Sequence, residues 1–238
     1  MMCTITPATT QEKKPSELIC IAVFLALYVL TFVFRVPRLI FEGQTLIWIQ
    51  VSIYGLLGIS GVFLFYQTFV IGFIQWKTAP LTNILWLLAT YVGGMFAMLL
   101  ASLPAYMMGI EAPQNDANVL LAVQMLGLPQ SILILGLAGP VVEEVIYRAL
   151  LIKKRKIPLW VCIKKRKIPL WVCIILSSGL FALVHLHGLA HIDFVGIIPH
   201  FAAALVYAVV YAKTGNITLP LAVHVINNSL AVILLYGI

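Results

Sequence analysis

Residues 139–148 read GPVVEEVIYR, and the rest of the chain is arranged around this stretch. Two adjacent acids, Glu143 and Glu144, stand in a run that is otherwise almost entirely apolar, and Arg148 follows four residues after the second acid. A carboxylate in apolar surroundings costs free energy unless it is paired or neutralised, and such residues inside a membrane are rare and usually functional. We therefore expect these three residues to lie at the functional site or beside it.

The composition indicates an integral membrane protein. Of the 238 residues, 62% are hydrophobic and only 10% are charged, whereas soluble domains are about a quarter charged. We predict an all-α fold, a polytopic transmembrane helical bundle of about seven to eight spans in contact with membrane lipid. We expect it in the plasma membrane of a bacterium, with the amino terminus inside and the carboxyl terminus outside.

Two apolar runs are too long for one straight span. The run Thr45–Ile74 would measure roughly 45 Å as a single helix, more than a bilayer core of about 30 Å. It is expected to tilt or to break near one of three glycines, Gly55, Gly58 or Gly61. The run Val119–Ile152 is also too long, and its candidate break residues are Gly136, Gly139 and Pro140.

The net charge of +7 does not indicate nucleic-acid binding. Eight of the 15 basic residues lie between Lys153 and Lys167, beside apolar spans, as the positive-inside rule predicts for a cytoplasmic segment. This cluster belongs to a repeat, because residues 153–163 read KKRKIPLWVCI and residues 164–174 read the same again. We expect the extra copy either to loop out on the cytoplasmic side or to shift His185 out of register.

Helical spacing sorts the few polar residues of the later spans. Glu144 and Arg148 are four residues apart and are expected to pair, which leaves Glu143 about 100° away and available as a general base. His224 and Asn228 share a helix face and can both donate hydrogen bonds to an oxyanion, with Asn227 the weaker candidate. A purely structural role is the alternative for each of these residues, because such side chains also form hydrogen bonds that hold membrane helices together.

The sequence lacks the residues that other classes of membrane protease use. The chain has no H-E-x-x-H zinc motif and no G-x-S-x-G elbow. Asp116 and Asp193 lie in predicted loops, so an aspartyl dyad is unsupported. The remaining possibility is a mechanism in which glutamate and histidine act on a water molecule.

Three motifs occur in one order: E-E-x-x-x-R at Glu143–Arg148, F-x-x-x-H at Phe181–His185 and H-x-x-x-N at His224–Asn228. Together, over roughly Val119 to Leu235, they resemble the CPBP intramembrane endopeptidases, also called the CAAX prenyl protease or Abi family. The apolar runs predict a cytoplasmic tail at 1–17 followed by amino-terminal transmembrane helices at 18–117, and the resemblance implies a catalytic core at 118–238, which contains the repeat.

The resemblance also implies roles for the residues. Glu143 would activate water, His185 would help to hold that water, and His224 and Asn228 would stabilise the oxyanion. Glu144 and Arg148 would support the site. The cofactor is either none or a divalent metal such as zinc, for which the candidate ligands are Glu143, His185 and His224.

We therefore predict an intramembrane endopeptidase. Its substrate would be a prenylated CaaX protein, a peptide pheromone or a bacteriocin precursor, and its role peptide processing or bacteriocin immunity. The alternative is a non-enzymatic immunity factor or transporter that uses the same acids and histidines as a proton relay. A third reading, a dedicated metal site, would use four histidines that are close in sequence: His185, His187, His191 and His200.

Overall fold

The computed structural model describes residues 15–109, 114–152, 169–186 and 194–237. Regular structure within these residues is entirely helical, which confirms the all-α prediction. The helices are α1 (Pro15–Tyr28, extended by a π-helical turn at Val29–Val33), α2 (Gly43–Leu64), α3 (Tyr66–Thr78), α4 (Pro80–Met107), α5 (Gln114–Leu126), α6 (128–150), α7 (Leu170–Val184), α8 (Phe194–Thr214) and α9 (Thr218–Tyr236).

The described helices are those of an integral, multi-pass membrane protein. Five of them are long and apolar enough to cross a bilayer: α1, α2, α4, α8 and α9. Helix α7 is apolar but has only 15 residues. The predicted count of about seven to eight spans is therefore not confirmed by the described part of the chain.

Helix α6 is the centre of the bundle. Every residue from Gly139 to Leu150 is buried, although this stretch contains two acids and an arginine. Helices α2, α7 and α9 pack around it. Residues 139–150 are thus the most enclosed part of the described chain.

The first long run is broken, as one of the two alternatives predicted, but the break lies four residues after Gly61 and not at a glycine. The run is interrupted at Phe65, between α2 and α3, where the backbone leaves the helical region with φ −115° and ψ 20°. The glycines instead lie at contacts between helices. A Cβ atom on Gly58 would be 3.3 Å from the Cβ of Ala138, so glycine here serves close packing, as small residues do in membranes.

The second predicted break is also wrong, because the chain bends at Gly127 and α6 runs unbroken through Pro140. Gly127 has φ +78°, a conformation that glycine adopts without strain. Helix α6 accommodates Pro140 through a π-helical turn at Ile132–Ala138, in which the Gly139 amide donates to the Ile134 carbonyl five residues back. A widened turn of this kind is common near functional sites.

Helices α4 and α8 form a second close contact. Gly94 allows the close approach of α8, because a Cβ atom there would lie 3.3 Å from Cε1 of Tyr207. Ala204 and Ala208 on α8 are fully buried. These two alanines pack in the core cluster that contains α6, so the small residue at the contact between α4 and α8 is Gly94.

A buried polar cluster joins α3 and α4 to the turn between α8 and α9. The Asn216 amide donates to Oδ1 of Asn83 (3.0 Å), and its own Oδ1 accepts from the Thr218 amide (3.0 Å). A Cβ atom on Gly72 would lie 2.6 Å from that same Oδ1. Glycine is therefore required where α3 crosses the turn.

The connection between α1 and α2 is attached to the end of α7. Arg35, the one described non-glycine residue with positive φ (54°), donates from Nη2 to the Leu186 carbonyl (2.6 Å). A cation is favourable at the carboxyl end of a helix.

The second copy of the repeat contributes to α7, because this helix begins at Leu170. Residues 153–168, which include the expected cytoplasmic loop, lie outside the described residues.

Candidate active site

Glu144 and Arg148 form the predicted ion pair on α6. Arg148 Nε lies 3.2 Å from Glu144 Oε2, and both side chains are fully buried. Arg148 also donates from Nη1 to the Ser177 hydroxyl of α7 (3.3 Å), and that hydroxyl donates to the Tyr147 carbonyl. Burial of both charges makes each dependent on the other, because removing one partner leaves an uncompensated charge.

His224 of α9 contacts both glutamates. Its Nδ1 lies 3.0 Å from Glu144 Oε1, and its Nε2 lies 3.4 Å from Glu143 Oε2. A carboxylate can only accept a hydrogen bond, so Nδ1 is the protonated nitrogen in the contact with Glu144. Glu143 therefore stays outside the Glu144–Arg148 ion pair but is linked to it, because one imidazole ring reaches both acids.

Glu143 has a second partner that spacing did not predict. The hydroxyl of Tyr54, on α2, donates to Glu143 Oε1 at 3.5 Å. The Tyr54 ring packs on Phe32, with ring centroids 3.9 Å apart. A tyrosine in an apolar helix looks like a packing residue in the sequence, and no motif marks it.

Asn228 reaches α6 from the same face of α9 as His224. Its side-chain amide donates to the Leu135 carbonyl at 3.2 Å. In the π-helical register of this turn, the next backbone donor for Leu135 would be residue 140, which is proline and has no N–H. Asn228 therefore supplies the hydrogen bond that the backbone of α6 lacks.

The approach of α9 to α6 depends on Gly136. A Cβ atom at this position would lie 2.6 Å from the Ser229 hydroxyl oxygen. Asn227, the weaker candidate, faces α8 instead and donates to the Tyr207 hydroxyl (2.8 Å). The Tyr207 ring lies 5.7 Å from that of His224, so Tyr207 is a further wall of the site that the sequence did not reveal.

His185 lies one aromatic ring away from the glutamates. The Phe181 ring is 4.9 Å from the His185 ring and 5.7 Å from the His224 ring, centroid to centroid. His185 Nδ1 contacts the Phe181 carbonyl (2.8 Å), and its ring stacks on His200 at 4.3 Å. His185 is thus beside the site without contacting Glu143.

The three predicted metal ligands do not form one group. Within the described ranges, no group of three or more histidine, cysteine, aspartate or glutamate side chains could hold a metal ion. Glu143 and His224 are in contact, whereas the ring of His185 packs on that of Phe181. His187 and His191, two members of the four-histidine reading, lie outside the described residues.

Comparison with known proteins supports a peptidase. Residues 126–230 match the family model described as "Type II CAAX prenyl endopeptidase Rce1-like". The curated protein "Putative membrane peptidase YdiL" of Bacillus subtilis (strain 168) is 25% identical over 153 residues, which are 64% of this chain and 56% of that protein. The chain thus spans little more than half the length of this relative. No solved structure matches the chain significantly.

The matched segment contains Glu143, His185, His224 and Asn228, the four residues for which the motifs predict catalytic roles. It also contains Glu144 and Arg148. Over residues 126–230, the resemblance of this chain to the CAAX prenyl protease family is therefore confirmed.

Proposed function

We propose that this protein is an intramembrane endopeptidase in which Glu143 activates a water molecule for attack on a peptide bond. The observation that supports this most directly is the contact between Glu143 Oε2 and His224 Nε2 (3.4 Å) in a nearly closed site. A general base needs a fixed position within reach of the proton it takes. The family match over residues 126–230 supports the same reaction class.

Glu144 and Arg148 act as positioning residues in this proposal. Glu144 accepts from His224 Nδ1 and is itself neutralised by Arg148. An acceptor on one ring nitrogen fixes the tautomer and orientation of the imidazole, so that the other nitrogen has a defined role. His224 Nε2 is thereby kept directed at Glu143.

The proposed reaction is a water-driven hydrolysis. The water oxygen bonds to the carbonyl carbon while one water proton passes to the Glu143 carboxylate. The carbonyl oxygen becomes an oxyanion, for which protonated His224 and the second amide hydrogen of Asn228 are the proposed donors. The C–N bond then breaks, and the proton held by Glu143 passes to the leaving amine. We propose that His185 contacts the water or the substrate from the α7 side.

For the substrate, the family match favours a carboxyl-terminal CaaX peptide that carries a prenyl group. Peptide pheromone and bacteriocin precursors are the second class to be tested. The peptide library for the test therefore contains CaaX peptides, pheromone precursors and bacteriocin precursors, each with and without a lipid group.

The test is cleavage by the purified protein in lipid vesicles. We expect the wild type to cleave and Glu143→Gln to lose at least about 100-fold in rate, because general-base catalysis contributes about 10²–10⁴-fold. Glu42→Gln is the matched control, since Glu42 is exposed, and it should retain full activity. Each assay is run with and without a chelator to determine whether a metal is needed.

Two results would contradict the proposal. Equal rates for wild type and Glu143→Gln would refute the role of this glutamate as the base. Absence of cleavage by the wild type, and also by a form lacking residues 164–174, would favour the non-enzymatic immunity factor or transporter. Activity that appears only in the shortened form would assign the loss to the repeat.

A further inference from the structure

Helix α2 contacts the site although it lies outside the family match at 126–230. Two of its glycines face α6: a Cβ atom on Gly58 would be 3.3 Å from the Cβ of Ala138, and one on Gly55 would be 3.9 Å from Cδ1 of Ile134. Small residues at these positions let the two helix backbones approach closely. Tyr54, which precedes Gly55, is brought to α6 by this contact.

The Tyr54 ring is held on two sides. The Phe32 ring of the α1 extension lies 3.9 Å away. On the α6 side the ring lies against Gly139, where a Cβ atom would be in ordinary van der Waals contact, 3.6 Å from Tyr54 Cε1. With the ring confined in this way, the hydroxyl is directed at Glu143 Oε1 (3.5 Å).

The two carboxylate oxygens of Glu143 therefore have different partners. Oε1 accepts from Tyr54, and Oε2 faces His224. The distance of 3.5 Å is long for a hydrogen bond, and contacts of this kind in unliganded enzymes commonly shorten when substrate binds. Engaging one oxygen leaves the other as the base.

We propose that Tyr54 is a positioning residue of the reaction, which donates to Glu143 Oε1 and so directs Oε2 toward His224 and the water. This inference rests on the proposed function for its catalytic consequence. It places part of the active site in the amino-terminal half of the chain, so that residues 126–230 alone form an incomplete site.

The test compares Tyr54→Phe with Tyr28→Phe. Each change removes one phenol hydroxyl and keeps the ring. The Tyr28 hydroxyl forms its hydrogen bond with that of Tyr147 (3.1 Å), whereas the described hydrogen bond to Glu143 comes from Tyr54, so Tyr28→Phe is a matched control for the loss of a hydroxyl within the bundle. Two quantities are measured: kcat and KM for a cleaved peptide, and the infrared carboxyl bands of Glu143, identified as those that disappear in Glu143→Gln.

We expect Tyr54→Phe to lower kcat by about 10- to 100-fold, the loss expected for a hydrogen bond to a charged group, with KM changed less than about twofold. The Glu143 bands should shift in Tyr54→Phe and stay in place in Tyr28→Phe. A role in folding alone would reduce the amount of folded protein without moving these bands.

The inference is overturned if the Glu143 bands are the same in Tyr54→Phe and the wild type, or if Tyr28→Phe lowers kcat as much. The infrared result does not require proteolysis. A shifted band in a protein that cleaves no peptide would support the contact and contradict the proposed function, whereas normal cleavage with unmoved bands would do the reverse.

Discussion

Asn228 and Pro140 should be energetically coupled, because each determines whether the Leu135 carbonyl has a donor. Asn228→Ala removes the amide that now donates to this carbonyl at 3.2 Å. Pro140→Ala creates a backbone N–H at the position that the π-helical register assigns to the same carbonyl. The two changes thus act on one acceptor from opposite sides.

The distance and the membrane setting give the magnitude. Leaving a buried carbonyl without a donor costs about 1–3 kcal/mol in protein interiors. Side-chain hydrogen bonds between membrane helices average about 0.6 kcal/mol and reach about 1.7 kcal/mol. Since 3.2 Å is at the long end of the usual range, we expect Asn228→Ala to lower the free energy of unfolding by about 1 kcal/mol.

In the Pro140→Ala background, the same change should cost less than about 0.5 kcal/mol, because the backbone now satisfies Leu135. The assay is reversible unfolding of the protein in mixed detergent and lipid micelles, for the wild type, both single variants and the double variant. Asn227→Ala is the control, since its amide donates to Tyr207 on α8 and its cost should not depend on residue 140. Equal costs of Asn228→Ala in the two backgrounds would refute the account of Pro140 given above.

Two further predictions concern stability. Glu144→Gln should lower the free energy of unfolding by about 3–5 kcal/mol, because Arg148 is then a buried charge without a counter-ion. The double variant Glu144→Gln with Arg148→Met should recover most of this loss, and denaturant titration measures both variants. A Glu144→Gln variant as stable as the wild type would contradict the prediction. Gly72→Ala should cost about 1–3 kcal/mol by overpacking against Asn216 Oδ1, 2.6 Å from the new Cβ. Gly179→Ala is the control, because the space around Gly179 is open, and it should leave the stability unchanged. Thermal melts of the two variants and the wild type measure the difference.

Spacing along one helix was enough to predict the pairs that share a face. Glu144 and Arg148 are four residues apart and are paired, and His224 and Asn228 both reach α6. These predictions hold because 3.6 residues per turn determines which side chains are neighbours. They concern local geometry and needed no knowledge of the rest of the bundle.

Spacing along one helix could not predict the partners that come from other helices. Tyr54 approaches Glu143 from α2, and Tyr207 lies beside His224 from α8. A tyrosine in an apolar run has the same sequence appearance whether its hydroxyl meets a carboxylate or another ring. Which helix lies against which is settled by packing, and one sequence does not reveal it.

Glycine and proline gave the wrong breaks for a related reason. In water both residues interrupt helices, but in a bilayer neighbouring helices satisfy or cover the exposed backbone. Gly58 and Gly136 therefore mark places where helices nearly touch, and Pro140 stands inside α6 with its missing donor replaced by Asn228. The actual interruptions are at Phe65, where the backbone leaves the helical region, and at Gly127, whose positive φ suits glycine.

The linkage of Glu143 to Glu144 through His224 also determines the charge balance of the cluster. With both acids ionised and both Arg148 and the doubly protonated ring of His224 positive, the four groups carry no net charge, and each carboxylate faces one nitrogen of the ring. When Glu143 takes a proton from water, the positive charge that the cluster gains is matched by the negative charge of the oxyanion on the substrate. The site and the bound substrate together thus stay neutral in the medium where net charge is most costly.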